Sequence, residues 1–407
     1  MSSISTRLRR WSGPVVSAAD PLRRALSPVT SLGWTVAAIG LGAWWLGARL
    51  DWEELLILAG ACLIALVIAV LWTIGRLALD IDVGVSPERV VVGEDAVGSV
   101  VAANRRGRVT LGSRIEVPVG RGVATFEVGA LRGDDRYEEA FVVPTNRRSV
   151  VGIGPARSVK GDPLGIARRE VVSGERVELY VHPRTEMLPP LTAGWMRDLE
   201  GRTTNDLSTS DVAFHTLREY TPGDDRRHIH WRTTARLGTL MVRQFVDTRR
   251  ARIGLVLSTD STDWASDEEF ELGVSILGSF GRTALADDQE VVTVTGARPI
   301  GSETPGMLLD GLAGVERVVD GHSLKELVRR SLRFTRGVSL LVLLVGSTVD
   351  PAVVRRACQY YGSDVTVFAV RCRPGAEVGR NRIANVSVLE VGRLGDLARV
   401  LSVVGAG

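Results

Sequence analysis

The run Arg252-Ile-Gly-Leu-Val-Leu-Ser-Thr259 decides the reading of the C-terminal part. It is apolar without alternation, the pattern of a strand buried on both faces. Residues 266–285 (SDEEFELGVSILGSFGRTAL) follow with helical spacing and Ser266 as a cap. The alternation then continues. Residues 290–296 (EVVTVTG) read as a strand, 323–332 (SLKELVRRSL) as an amphipathic helix and 338–347 (VSLLVLLVGS) as a strand. Residues 351–361 (PAVVRRACQYY) form a helix with proline at its start, and 364–370 and 385–391 are further strands. Apolar strands separated by helices predict a doubly wound α/β domain over 251–407.

Working toward the N-terminus, residues 79–183 alternate with period two between Gly, Pro and Asn-Arg turns, as in LDIDVGV, RIEVPV and EEAFVVP. That predicts a β-sandwich-like domain. Residues 185–210, with Pro189-Pro190 and weak periodicity, read as a connector, and 211–250 as a separate segment. Near the start stand two apolar stretches, Leu32–Ala48 and Leu55–Ile74, each close to the ~20 residues that cross a bilayer. They predict a transmembrane helical hairpin over 31–75 behind a basic N-terminus, 1–30. Arg7, Arg9, Arg10, Arg23 and Arg24 precede the first stretch, while Arg49, Asp51, Glu53 and Glu54 lie between the two. Positive flanks resist translocation, so both ends are expected in the cytoplasm of a multi-pass membrane protein.

Composition bounds the chemistry. The chain has 407 residues, 45% hydrophobic and 24% charged, and a net charge of +3. This excludes wholesale disorder and gives no sign of a nucleic-acid binder. Its two lysines, Lys160 and Lys325, lie outside any Gly-Lys-Ser/Thr, so no P-loop is present. Cys62, Cys358 and Cys372 have neither disulfide-framework nor zinc spacing. A Gly-x-Ser-x-Gly elbow, a His-Glu-x-x-His motif and a dinucleotide loop are absent from the sequence. Asp134-Asp135 and Asp287-Asp288 sit among turn residues. Arg243, Arg249, Arg250 and Arg252 would attract anions or an anionic leaflet, with a solvated or ion-paired face as the default.

The informative segment is 214–236, FHTLREYTPGDDRRHIHWRTTAR. Pro222-Gly223 makes a turn, and Asp224 or Asp225 is placed to cap a following helix. Arg218, Arg227, Arg232 and Arg236 surround those acids and suit guanidinium–carboxylate pairing. Ile229 and Ala235 are expected on one helix face, with Trp231 packing sideways. His228 and His230, two apart on a helix, diverge too far to share a metal. Arg218, Tyr220, Pro222, Gly223, Asp224, Asp225, Arg227, Ile229, Trp231, Ala235 and Arg236 resemble the signature of the domain-of-unknown-function 58 family. His230 departs from it, standing where the family often has aspartate.

The resemblance implies a bacterial membrane protein with a von Willebrand factor A-like C-terminal domain. It also implies a non-enzymatic adaptor or scaffold working with a MoxR-type AAA+ ATPase, and with neighbouring membrane proteins, in protein remodelling or maturation. The lack of a P-loop is consistent with ATP chemistry on another chain. Domains of that type often hold Mg²⁺ through Asp-x-Ser-x-Ser after the first strand. Here Ser258, Asp260 and Thr262 occupy that stretch in degenerate form, so no metal or other cofactor is expected. Two rivals stand beside the adaptor. One is a hydrolase or transferase using Asp224 or Asp225 with His228 or His230; the other is a structural cell-envelope protein.

Overall fold

A computed structural model describes residues 29–73, 79–104, 112–189, 212–221, 224, 226–247, 252–362, 365–377, 379–383, 386–399 and 401. The chain divides into two compact units. One comprises 1–90, 95–144 and 151–179; the other comprises 91–94, 145–150 and 180–407.

The first unit opens with two helices, α1 (Ser31–Leu50) and α2 (Glu53–Thr73). They pack closely at glycines: a Cβ on Gly40 would lie 2.9 Å from Cys62 Cβ, and one on Gly47 3.1 Å from Leu55 Cβ. Thr30 caps α1 by accepting the Gly33 amide, and its hydroxyl donates to the Gly165 carbonyl at 2.6 Å. Ala65, Leu66 and Ala69 of α2 pack against Ile166 and Ala167.

Ten strands follow: β1 (Asp80–Ser86), β2 (Arg89–Val91), β3 (Ala96–Ala103), β4 (Ser113–Val119), β5 (Gly122–Val128), β6 (Arg136–Val143), β7 (Ser149–Ile153), β8 (Ala156–Gly161), β9 (Arg168–Ser173) and β10 (Val177–His182). They form a three-stranded sheet, β1-β3-β6, and a seven-stranded sheet, β2-β10-β7-β4-β8-β9, with β5 paired to β4. Alternation places Ile81, Val83, Val100, Ala102, Ile115 and Val117 inside.

In the second unit β11 (Val212–Glu219) and β12 (Met241–Asp247) make an antiparallel pair enclosing the short helix α3 (Trp231–Leu237). A seven-stranded sheet is built from β13 (Arg252–Leu257), β14 (Glu290–Thr295), β15 (Arg298–Ile300), β16 (Leu340–Gly346), β17 (Thr366–Cys372), β18 (Gly379–Ile383) and β19 (Val386–Val391), in the order β15-β14-β13-β16-β17-β19-β18. Helices α4 (Asp267–Ala286), α5 (Pro305–Ala313), α6 (Leu324–Ser331) and α7 (Pro351–Cys358) accompany it. Leu255 and Leu257 face a core with α4 and α5, while Val256 faces another with α6 and α7. Cys372 lies in the first core and Cys358 in the second, so the two thiols are separated by the sheet.

Two parts of the expected fold class are corrected. Among the described residues one helix, α2, is long and apolar enough to cross a membrane. The expected second span, α1, falls short because four glycines, three tryptophans and Arg49 dilute its apolar residues. The C-terminal sheet is not the all-parallel sheet of the expected doubly wound α/β domain. β14, β13, β16, β17 and β19 are parallel, but β15 and β18 pair antiparallel at its edges. The short hairpin connections after β14 and β18 force that direction. The chain as a whole is β-rich, with several sheets.

Two features of the second unit escaped the sequence. The start of the expected connector packs along α4: Glu186 N donates to Ser279 Oγ, Leu188 N to Thr283 Oγ1, and Leu188 is buried. Residues 190–210 of that connector lie outside the described residues. Arg148, its side chain only 3% exposed, grips both oxygens of Glu271 at 2.9 Å and donates to the Leu312 and Ala313 carbonyls at the end of α5. Arg148→Ala removes this partner from Glu271 and from the Ala313 carbonyl. It is expected to cost about 1–3 kcal/mol of stability, read as a fall in the urea midpoint; an unchanged midpoint would contradict the role.

Candidate functional site

The segment singled out by its motif is a folded-back hairpin. Glu219 stands opposite Met241, and Tyr220 N donates to the Leu240 carbonyl, closing a long excursion between β11 and β12. Within it the chain returns to β12. Ile229 bridges to Val242, both buried, and His230 N donates to the Met241 carbonyl at 2.8 Å.

Arg218 fixes the near side of the excursion. Its Nη1 and Nη2 reach the two oxygens of Asp224 at 2.9 and 2.6 Å, and Nη1 also donates to the Glu219 carbonyl. Asp224 accepts the Thr221 amide at 2.8 Å, while its own amide donates to the Thr221 carbonyl. The Arg218 guanidinium, and then the Thr221 amide, hold the Asp224 carboxyl below the usual carboxylate range. An acid so stabilised in its charged form is a weak base and a poor proton donor at neutral pH.

His230 is engaged differently. It is the N-cap of α3, its Nδ1 accepting the Thr233 amide at 3.2 Å, with Thr233 Oγ1 2.7 Å away. Of the two expected caps, Asp224 or Asp225, Asp224 closes the 221–224 turn, while α3 is capped by His230. An aspartate at that place would cap in the same way, which accounts for the interchange noted in the sequence. Pro222, Gly223 and Asp225 lie outside the described residues.

The far side of the excursion is α3. Thr234 Oγ1 accepts the Met241 amide, and Gly238, at φ +73°, ends the helix by donating to the Thr234 carbonyl. The apolar residues do not pack as expected. Ile229 is buried on a bridge, not on a helix, while Ala235 is exposed and Trp231 is 66% exposed. Leu237 and Leu240 are 59% and 43% exposed. Arg227 and Arg236 are exposed as well, and Tyr220 is half-buried.

A second place lies at the C-terminal ends of β13 and β16, where the connections leave the sheet in opposite directions and open α/β sheets form crevices. Ser258, Asp260 and Thr262 meet there, but their oxygens serve one another. Ser258 Oγ donates to Asp263, and Asp260 Oδ1 accepts both the amide and the hydroxyl of Thr262. Among the described residues no group of three His, Cys, Asp or Glu is placed to hold an ion. The stretch does not fit an octahedral hard-cation site, which needs oxygens aimed at a common point.

Glu269, 1% exposed, takes up the space between the two loops instead. Its oxygens accept the amide and hydroxyl of Ser347 and the Ala265 amide. Gly346 leaves room for this: a Cβ there would lie 2.6 Å from Glu269 Oε1. Arg371 completes the knot by donating to the Ser347 carbonyl and to Glu390. The sequence carried one signal of it, the Ser266-x-x-Glu269 spacing of a capping box, although here the glutamate reaches beyond its own helix end.

Residues 216–274, running from β11 into α4, match the family described as "Protein of unknown function DUF58". The match supports DUF58 membership and includes every motif position from Arg218 to Arg236. No curated protein matches the chain. Among solved structures, the CARDB domain of a Pyrococcus furiosus protein, solved with two metal ions, is 13% identical over 25% of this chain and 86% of that one, with a TM-score of 0.20. A β-glucosidase from Listeria innocua is 11% identical over 26% of this chain and 17% of its own, at 0.15. Spo0M, a sporulation control protein from Bacillus subtilis, is 13% identical over 42% and 68%, at 0.17. Likenesses this slight carry no argument about fold or function.

Burial, and then the Asp260 charge, push the Asp263 carboxyl above the usual range, with the Ser258 hydroxyl opposing them. A carboxyl raised in the folded state costs stability once pH rises through its folded value and costs nothing below its unfolded value, about pH 4. Asp263→Asn is therefore expected to raise Tm at pH 7 and to leave it unchanged at pH 3.5 or below. A lower Tm at pH 7 would contradict this.

Proposed function

We propose that this chain is a membrane-associated docking protein with no chemistry of its own, in which the 212–247 hairpin presents the contact surface. Its partner, on the resemblance of the motif, is a MoxR-type AAA+ ATPase, for which the chain acts as adaptor or scaffold beside neighbouring membrane proteins. The carrying observation is Trp231. A tryptophan left 66% exposed on a well-tied helix is unusual in a folded domain and is the residue most enriched at binding hot spots.

The polar motif residues support the same reading. Arg218 and Asp224 are spent on each other, and His230 on a helix cap, so the hairpin invests its acid and base groups in its own shape. We place the anchor at α2 and the chain that follows it, residues 79–407, in the cytoplasm. The free thiols favour that side, burial pushing Cys358 up to about 12 and Cys372 higher still.

The test is co-purification of the full chain from its native membranes. The wild type is expected to retain the ATPase, and Trp231→Ala to lose it while keeping an unchanged far-UV circular dichroism spectrum. Retention of the ATPase by Trp231→Ala, or turnover of a small molecule by the purified chain alone, would overturn the proposal.

A further inference from the structure

Charge on the hairpin is distributed unevenly. Arg218 is neutralised by Asp224, but Arg226, Arg232, Arg236 and Arg243 are exposed and have no acidic partner among the described residues. At about 100° per residue, Trp231, Arg232, Ala235 and Arg236 fall within one ~140° arc of α3. All four are exposed, whereas Thr233 and Thr234, on the rest of the helix, are tied to His230 and to Met241.

We infer that this arc binds an acidic segment of a partner protein, Arg232 and Arg236 each gripping a carboxylate through the guanidinium fork while Trp231 covers the adjoining aliphatic atoms. The inference rests on the docking reading above and deepens it by specifying the partner's chemistry. Unpaired guanidinium groups attract carboxylates from outside the chain, and arginine forks match their geometry. Tryptophan with arginine is also the composition of interface hot spots.

A membrane surface fits the arc less well. Interfacial helices segregate a broad apolar face from a basic one. Here tryptophan and alanine interleave with the arginines inside a single arc, on a helix of only seven residues.

The experiment uses the full chain in neutral-lipid nanodiscs and a fluorescent poly-glutamate peptide, with binding read by anisotropy. The wild type is expected to bind, and to weaken steeply as salt rises from about 0.05 to 0.2 M and screening shortens. Arg232→Glu with Arg236→Glu is expected to weaken binding at least ~tenfold and to gain affinity for poly-lysine. Arg232→Gln with Arg236→Gln serves if the reversed variant unfolds, and is expected to weaken binding to the same degree. Unchanged peptide binding by the reversed or neutralised variant overturns the inference. So does wild-type binding to phosphatidylserine vesicles without binding to the peptide.

The two readings fail separately. Undiminished co-purification of the ATPase with the charge-reversed chain removes the acidic-partner inference and leaves the adaptor standing. Peptide binding as expected, with no ATPase retained by wild-type membranes, keeps the inference and removes the ATPase as the partner.

Discussion

The Arg218–Asp224 fork is the constraint on which the hairpin's shape depends. It joins the end of β11 to the turn at Thr221, and it forms only if the chain doubles back directly after Glu219. Once that turn is closed, Ile229 and His230 come down on β12, and His230 starts α3 where Thr234 can reach the Met241 amide. Each link is short and polar except the buried pair Ile229–Val242. The consequence is a small helix held from beneath by hydrogen bonds, with its aromatic and basic residues left outward.

The crevice at the ends of β13 and β16 shows the opposite use of polar groups. Ser258 is bound to Asp263, Thr262 to Asp260, and Glu269 to Ser347 and the Ala265 amide, so each polar group has a partner within the chain. A buried carboxylate is tolerated when it accepts several hydrogen bonds, and Glu269 does so from both loops. Those pairings occupy the polar groups at the end of the sheet and leave the exposed hairpin as the better place for an encounter with another molecule.

Much of the local structure was legible. Ser266 caps a helix that begins at Asp267, Pro351 opens another with Asp350 as its cap, and the apolar runs at 252–257 and 340–346 are buried strands. Periodicity and caps are local signals, so they survive without tertiary knowledge. The assembly of those elements was not legible. Whether 31–50 equals 53–73 in apolar character depends on a few glycines and tryptophans. The directions of β15 and β18 depend on short turns, which periodicity does not report. In the motif the residue types were read correctly as a structured cluster, but their roles were exchanged. Asp224 closes a turn instead of capping, His230 caps, and Trp231 faces outward because Ile229 alone takes the buried position. Glu269 and Arg148 were missed because their partners, Ser347 and Leu312, are distant in sequence.

The central claim is that the outward arc of α3 meets another protein. The most direct measurement places a photo-crosslinking amino acid at Trp231, at Ala235 and at Thr233 in turn, in the full chain in its native membrane. The account predicts one crosslinked protein species from 231 and 235 and none from 233, which is turned toward His230. Equal crosslinking from all three positions, or none from 231 and 235 in chains that retain their fold, would contradict it.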